Sequence, residues 1–253
     1  MRRYPACLWL CALTLPPCAG WHHPVHQMVT RAAILSLPPA TQQRFGSEKT
    51  ALIQTYCVYP DLFPFRSASQ PDIRRYCETP DERPIHNVSW NIDDDLRSLE
   101  HSLSGMVEGL KSRDLAAAAQ HAGVLAHFLE DSTCPAHALV PFDGALSQAY
   151  PQADGREPVS LHALIERSAP IVDLAGRAPK SAGHTVREAA SNLLGRAYRI
   201  IRQNRDDLDA LVAATERGDE PVMNRYRHKA AVAGAELVAD AYFTAFTLAG
   251  TAQ

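Results

Sequence analysis

The stretch from Leu115 to His137, LAAAAQHAGVLAHFLEDSTCPAH, sets the tightest limit on what this chain can become. Leu115 to Leu129 is rich in alanine and leucine, with Gly123 its one glycine and no proline, a composition that favours a helix apolar enough to be buried. His127 and Asp131 stand four residues apart, so on a helix they share a face, one turn above the other. Pro135 cannot continue that helix and pushes the residue before it out of the α region. The chain therefore turns and brings His137 back towards the helix end. Two imidazoles and a carboxylate converging there make a zinc half-site, because zinc takes nitrogen and carboxylate oxygen at short range. A core histidine with a capping aspartate explains the isolated spacing equally well, so the remaining residues must decide.

The first residues set the compartment. Met1-Arg2-Arg3 is positive, Ala6 to Leu15 is apolar, and prolines with small residues run to Gly20. That is the pattern of a secretory signal peptide, too short for a membrane span. Cleavage after Gly20 leaves a mature chain of residues 21–253 that begins at Trp21 and is exported, to the periplasm or the medium. Prolines before Cys18 count against a lipoprotein. No other apolar run is expected to be long enough to span a bilayer. The signal takes with it three of six cysteines and leaves Cys57, Cys77 and Cys134. Export permits disulfides, and Cys57 and Cys77 bracket a proline- and serine-bearing segment. Their pairing is expected, worth ~3 kcal/mol in the chain-entropy picture, with Cys134 a buried free thiol. The mature chain carries 23 basic and 28 acidic side chains, a formal charge of −5. An acidic exported protein without a long lysine run is not built for general polynucleotide binding.

The rest reads as helix. One helix follows the opening Trp21–His26 stretch through Ala32, Ala33 and Leu35 to the Pro38-Pro39 stop, and another runs from Asp93 to Lys111 with Leu96, Leu99, Leu103 and Leu110 as its apolar stripe. Two longer ones close the chain, at about 185–204 and 222–248. Residues 40–92 look irregular, interrupted by Pro60, Pro64, Pro71, Pro80 and Pro84, and residues 138–158 look like loop. No segment of useful length has strand periodicity. The expectation is an all-α, single-domain helical bundle.

Nine residues in order make a larger pattern: Trp21, His26, Asp61, His86, His127-x3-Asp131-x5-His137 and His162-x3-Glu166. This pattern resembles the zinc-dependent phospholipase C family and its relatives, the zinc-dependent single-strand nucleases. The likeness spans residues 21–166; the last two helices match only in being helices. The resemblance implies a helical fold with a trinuclear zinc site. Asp61, His86, His127 and Asp131 would hold one ion, and His137, His162 and Glu166 a second, more exposed one. A third would take the α-amino nitrogen and carbonyl oxygen of Trp21 together with His26, Asp131 bridging it to the first. The family's chemistry is phosphodiester hydrolysis by hydroxide generated at the metals, with Asp61 as the group that orients the water.

Several positions depart from the family. Phe128 stands where tyrosine is usual, Glu130 where glycine is usual, Asn87 where an aromatic tends to follow His86, and Pro141 where asparagine or phenylalanine is expected. Glu166 and Tyr59-Pro60-Asp61 look like the phospholipase branch, and the nucleases' glycine- and asparagine-rich signature between His137 and His162 is missing. A phospholipid head group is the expected substrate, with peripheral membrane contact through loops such as 138–158. The alternatives are a single-strand nuclease or 3′-nucleotidase acting on nucleic acid, and an exported zinc-binding protein without turnover. His22 and His23 flank the site and could take metal, but the preferred reading is spare surface histidines. His101, His121, His184 and His228 are read as structural, and Arg187, Arg196, Arg199, Arg202 and Arg205 as a solvated basic face.

Overall fold

The computed structural model describes residues 23–66, 71–139, 149–150, 157–166 and 171–250, without the side chains at 64–66, 71, 138–139, 149–150, 161–162 and 166. In order, the helices are α1 (His23–Leu35), α2 (Pro39–Gln43), α3 (Glu48–Gln54), a 3-10 turn (Tyr56–Val58), α4 (Tyr59–Arg66), α5 (Pro71–Cys77), α6 (Ile92–Ser112), α7 (Leu115–Thr133) and α8 (Pro135–Leu139). After a two-residue antiparallel pair, β1 (Ala149–Tyr150) with β2 (Val159–Ser160), follow α9 (Leu161–Glu166), α10 (Val186–Asp206), α11 (Leu208–Glu216) and α12 (Glu220–Leu248). The chain is all-α, as its periodicity predicts.

Helix α7 is the axis. Asp114 caps it, its carboxylate accepting from the Ala117 amide at 3.0 Å. From Ala122 to Thr133 every side chain is buried. Around it pack α6, α12, α10, α3 and the 3-10 turn. The alanines allow this crowding, and at Gly123 the approach leaves no room at all: a Cβ there would lie 2.4 Å from the Tyr56 carbonyl carbon. Helix α6 is capped by the Asn91 side chain, which accepts from the Asp93 and Asp94 amides, and it ends at Arg113 in the left-handed region. Its buried stripe includes Leu99, Leu103, Met106 and Leu110. Two apolar clusters result, one around the outer flank of α7, the other around Val25, Val29, Cys134, Ala136 and Met223. Both draw on α1 and α12.

Three expectations are corrected. The stretch from 40 to 92 is largely short helices, because its prolines start turns as well as stop them: Pro39 and Pro71 are first residues of helices, where no amide proton is needed. Helix α11 lies between the last two long helices. Helix α12 is long and apolar enough to cross a membrane, with a mean hydropathy of 1.2 over its best window, but 67% of that window is buried inside the protein. It is a core helix.

The expected Cys57–Cys77 bridge is not formed; Cys57, Cys77 and Cys134 are free and buried. The Cys57 thiol donates to the Ile53 carbonyl at 3.1 Å, one turn back along its own segment. Burial pushes the Cys57 and Cys77 thiols up, so both stay protonated at neutral pH.

His121 is structural, as expected. Its ring stands edge-on to Tyr76 (4.8 Å between centroids) and to His101 (5.4 Å). Burial, with lesser effects from His101 and Arg75, pushes it down to about 4. The folded state thus prefers the neutral ring, so its contribution is complete above the unfolded value of about 6.5 and is lost as pH falls towards 4. At ~1.4 kcal/mol per pH unit, urea unfolding should show roughly 3 kcal/mol lost across that window through this residue. His121→Leu should flatten the profile by that amount, and equal pH slopes in the two proteins would contradict it.

Candidate metal centre

The last two turns of α7 carry a carboxylate where no water reaches it. Asp131 is fully buried, and its two oxygens face different groups. Oδ2 lies 3.2 Å from His127 Nε2 and 3.4 Å from His86 Nε2; Oδ1 lies 3.4 Å from His26 Nε2 and 3.9 Å from His137 Nε2. Asp61, from the first turn of α4, closes the group. Its Oδ1 is 3.2 Å from His86 Nε2 and 3.7 Å from His127 Nε2, and its Oδ2 is 3.9 Å from His26 Nε2. His23 Nε2, at the start of α1, is 3.7 Å from the same Asp61 oxygen, so this histidine faces the site rather than open solvent alone.

Three of the rings have a partner at the second nitrogen. His127 Nδ1 donates to the Cys57 carbonyl at 2.9 Å. That carbonyl belongs to the 3-10 turn which Gly123 lets in against α7. His26 Nδ1 is 2.6 Å from Glu130 Oε2. The Asn87 amide nitrogen lies 2.8 Å from His137 Nδ1 and donates to it. With Nδ1 of His127 and His26 so engaged, their Nε2 atoms are left with lone pairs directed at the carboxylates. The His86 segment is fixed by Asp95, which is buried on α6: its Oδ1 accepts from the amide and hydroxyl of Ser89, each at 2.7 Å, and its Oδ2 from Tyr198 at 2.7 Å. The Ile85 amide donates to Cys77 at 2.8 Å, which completes the clamp.

The electrostatics are set by two buried carboxylates among imidazoles. Burial raises the Asp61 and Asp131 carboxyls, but the surrounding imidazoles outweigh it and hold both below the ordinary carboxylate value, Asp131 well below. Burial likewise lowers His127, and Asp131 and Asp61 more than reverse it. Glu130 is pushed up by burial, against the pull of His26 and Thr30. Among the described residues, His26 Nε2, His127 Nε2, Asp61 Oδ2 and both Asp131 oxygens are buried without a hydrogen-bond partner. Orphaned buried atoms of this kind cost several kcal/mol between them unless something satisfies them. A metal with bonds of about 2.0–2.2 Å sets its ligand atoms roughly 3.3 Å apart at tetrahedral angles. The spacings of 3.2–3.7 Å among Asp61 Oδ1, His86, His127 and Asp131 Oδ2 fit that figure. His26–Asp61–His127 and His86–His127–Asp131 are both groups that could hold an ion.

Of the nine residues singled out in the sequence, His26, Asp61, His86, His127, Asp131 and His137 come together. Trp21 lies outside the described residues, as do the side chains of His162 and Glu166. The backbone of their helix, α9, packs against α8, which carries His137. The buried Arg227 of α12 holds α9 by its last carbonyls, donating to Ile165 at 3.0 Å and to Leu164. Thr30, Glu130, Asn87 and the Cys57 carbonyl are site components that the ordered pattern does not name. Glu130 and Asn87 stood out as departures from the family; Thr30 is the residue four after His26, on the same helix face. No family model, curated protein or solved structure matches this chain.

Gly123→Ala tests the link between packing and site. The new methyl must drive the 3-10 turn away from α7, at a cost of ~1–3 kcal/mol in unfolding free energy, and it should carry the Cys57 carbonyl off His127. Zinc affinity, measured by chelator competition, should fall at least tenfold. Unchanged affinity in a destabilised variant would show that His127 is held by other means.

Proposed function

We propose that this chain is an exported zinc-dependent phosphodiester hydrolase of phospholipase C type, its mature form beginning at Trp21. The observation that carries the reading is the Asp131 carboxylate, buried and turned so that one oxygen serves the Asp61–His86–His127 group and the other serves His26 and His137. A carboxylate that faces two separate donor sets is what a bridging ligand requires. Asp61, His86, His127 and Asp131 would hold one zinc, His26 and Asp131 with the Trp21 terminus another, and His137 with His162 and Glu166 a third. Bound there, zinc would acidify water to give hydroxide near neutral pH and offset charge on a departing oxygen.

The chain's own part follows from where its atoms point. Asp61 uses Oδ1 towards His86 and His127 and keeps Oδ2 without a hydrogen-bond partner. That free oxygen can accept a hydrogen bond from an attacking water and hold its oxygen towards phosphorus. Because the imidazoles keep its pKa low despite burial, Asp61 is ionised at neutral pH and always able to accept. His86 is about a third exposed at 31%, whereas Asp61, His26, His127 and Asp131 are buried, so substrate approaches over His86.

A second reading, nuclease or nucleotidase, is favoured by one feature. A pocket of about 490 Å³ is lined by Trp90, four residues after His86, with Tyr198, Arg199 and Arg202. Rings and guanidinium groups together suit a stacked base and its phosphate. The face read as solvated is thus partly a pocket wall, while Arg196 and Arg187 are spent on Asp240 and Glu100. Side-by-side hydrolysis of phosphatidylcholine and single-stranded DNA by one zinc-loaded preparation separates the readings. Faster turnover of phosphatidylcholine is expected, with Asp61→Asn slower by about 10²–10⁴-fold. Faster DNA cleavage, lost in Asp61→Asn and weakened in Trp90→Ala, would assign the chain to the nuclease reading.

A further inference from the structure

We infer that Glu130, supported by Thr30, is the positioning residue that fixes His26 as a metal ligand; this rests on the metal reading of the site above. Glu130 is fully buried on α7, one residue before Asp131. One oxygen, Oε2, lies 2.6 Å from His26 Nδ1, and the other, Oε1, accepts from the Thr30 hydroxyl at 2.7 Å. His26 and Thr30 are both fully buried and lie one turn apart on α1. The carboxylate thus bridges two side chains of a neighbouring helix at once and cannot turn without breaking one contact.

The consequence for His26 is chemical. A carboxylate only accepts, so Nδ1 must carry the proton and Nε2 must keep its lone pair. That lone pair is the atom 3.4 Å from Asp131 Oδ1, and it has no hydrogen-bond partner of its own. The opposite tautomer would place a proton on Nε2, where a metal is to bind, and leave Nδ1 and Oε2 as two acceptors 2.6 Å apart. Thr30 supplies the constraint that a lone carboxylate lacks: it anchors Oε1, so Oε2 stays aimed at the ring. The His26 ring is also stacked on His127, 4.1 Å between centroids and 20° between planes. A ring held at one edge and on one face has no other rotamer open to it. Glycine at this position, as in the family this chain resembles, provides none of these contacts, so the device belongs to this sequence.

The test is zinc binding by the full mature chain, with the His26 tautomer read by ¹⁵N NMR of the loaded protein. Wild type should bind more than one zinc and show a protonated Nδ1 on His26. Glu130→Ala should weaken one zinc site by about 10–100-fold and leave the tightest site unchanged. Glu130→Gln, whose amide oxygen still accepts from Nδ1 while its NH₂ faces the Thr30 hydroxyl, should recover most of that loss and the Nδ1 proton. Thr30→Val should give an intermediate loss. Circular dichroism and urea unfolding accompany each variant, because a merely structural Glu130 would lower stability without changing the ratio of site affinities or the tautomer. Wild-type affinities and tautomer in folded Glu130→Ala would overturn the inference and leave the metal reading standing. Wild type that binds no zinc would overturn both.

Discussion

Everything at the centre of this protein depends on how the Asp131 carboxylate is compensated. A buried carboxylate in a low-dielectric interior is expensive unless opposite charge and hydrogen bonds surround it. Here that compensation is a shell of imidazoles from four separate parts of the chain: His26 from α1, His86 from the segment after α5, His127 from the same helix and His137 from α8. Asp61 adds a second carboxylate to the same shell. The shell is over-supplied with acceptors and lone pairs for a metal-free protein, and well supplied for one that carries cations.

The fold serves this arrangement through tight contacts between its helices and turns. Alanine-lined α7 admits neighbours closely on all sides, and Gly123 lets the 3-10 turn present the Cys57 carbonyl to His127. Pro135 starts α8 immediately after α7 ends, so His137 returns to the Asp131 side. Asp95 and Tyr198 pin the His86 segment to α6 and α10. Arg227 does the same for α9 from the opposite side, its guanidinium meeting the C-terminal carbonyls where the helix dipole is negative. The segments that carry His86 and His127, and helix α9, are thereby fixed by contacts that do not involve a metal.

The helical class, the limits of α6, α7, α10 and α12, and the six candidate residues that the fold brings together were legible in the sequence, because periodicity, caps and the four-residue spacing are local signals. What was not legible depends on contacts distant along the chain. Pro39 and Pro71 looked like interruptions because only the structure shows which side of a proline carries the helix. Cys57 and Cys77 looked like partners by sequence bracketing, but Cys57 is committed to the Ile53 carbonyl and both thiols are separately buried. Thr30 carried no signal of its own. Its role exists only because Glu130, 100 positions away, reaches it across the α1–α7 contact. His23 is partly exposed, as the sequence suggests, yet it lies 3.7 Å from Asp61, because α4 places that carboxylate opposite it.

The central claim is that the buried carboxylates are satisfied by metal. Crystals of the full mature chain grown with zinc, measured on both sides of the zinc absorption edge, test it directly. The account predicts an anomalous peak between Asp61, His86, His127 and Asp131, within about 2.0–2.2 Å of each ligand atom, and a second peak on the His26 side of Asp131. A fully ordered site in which water alone bridges Asp131 to the imidazoles, with no anomalous signal at either position, would contradict it.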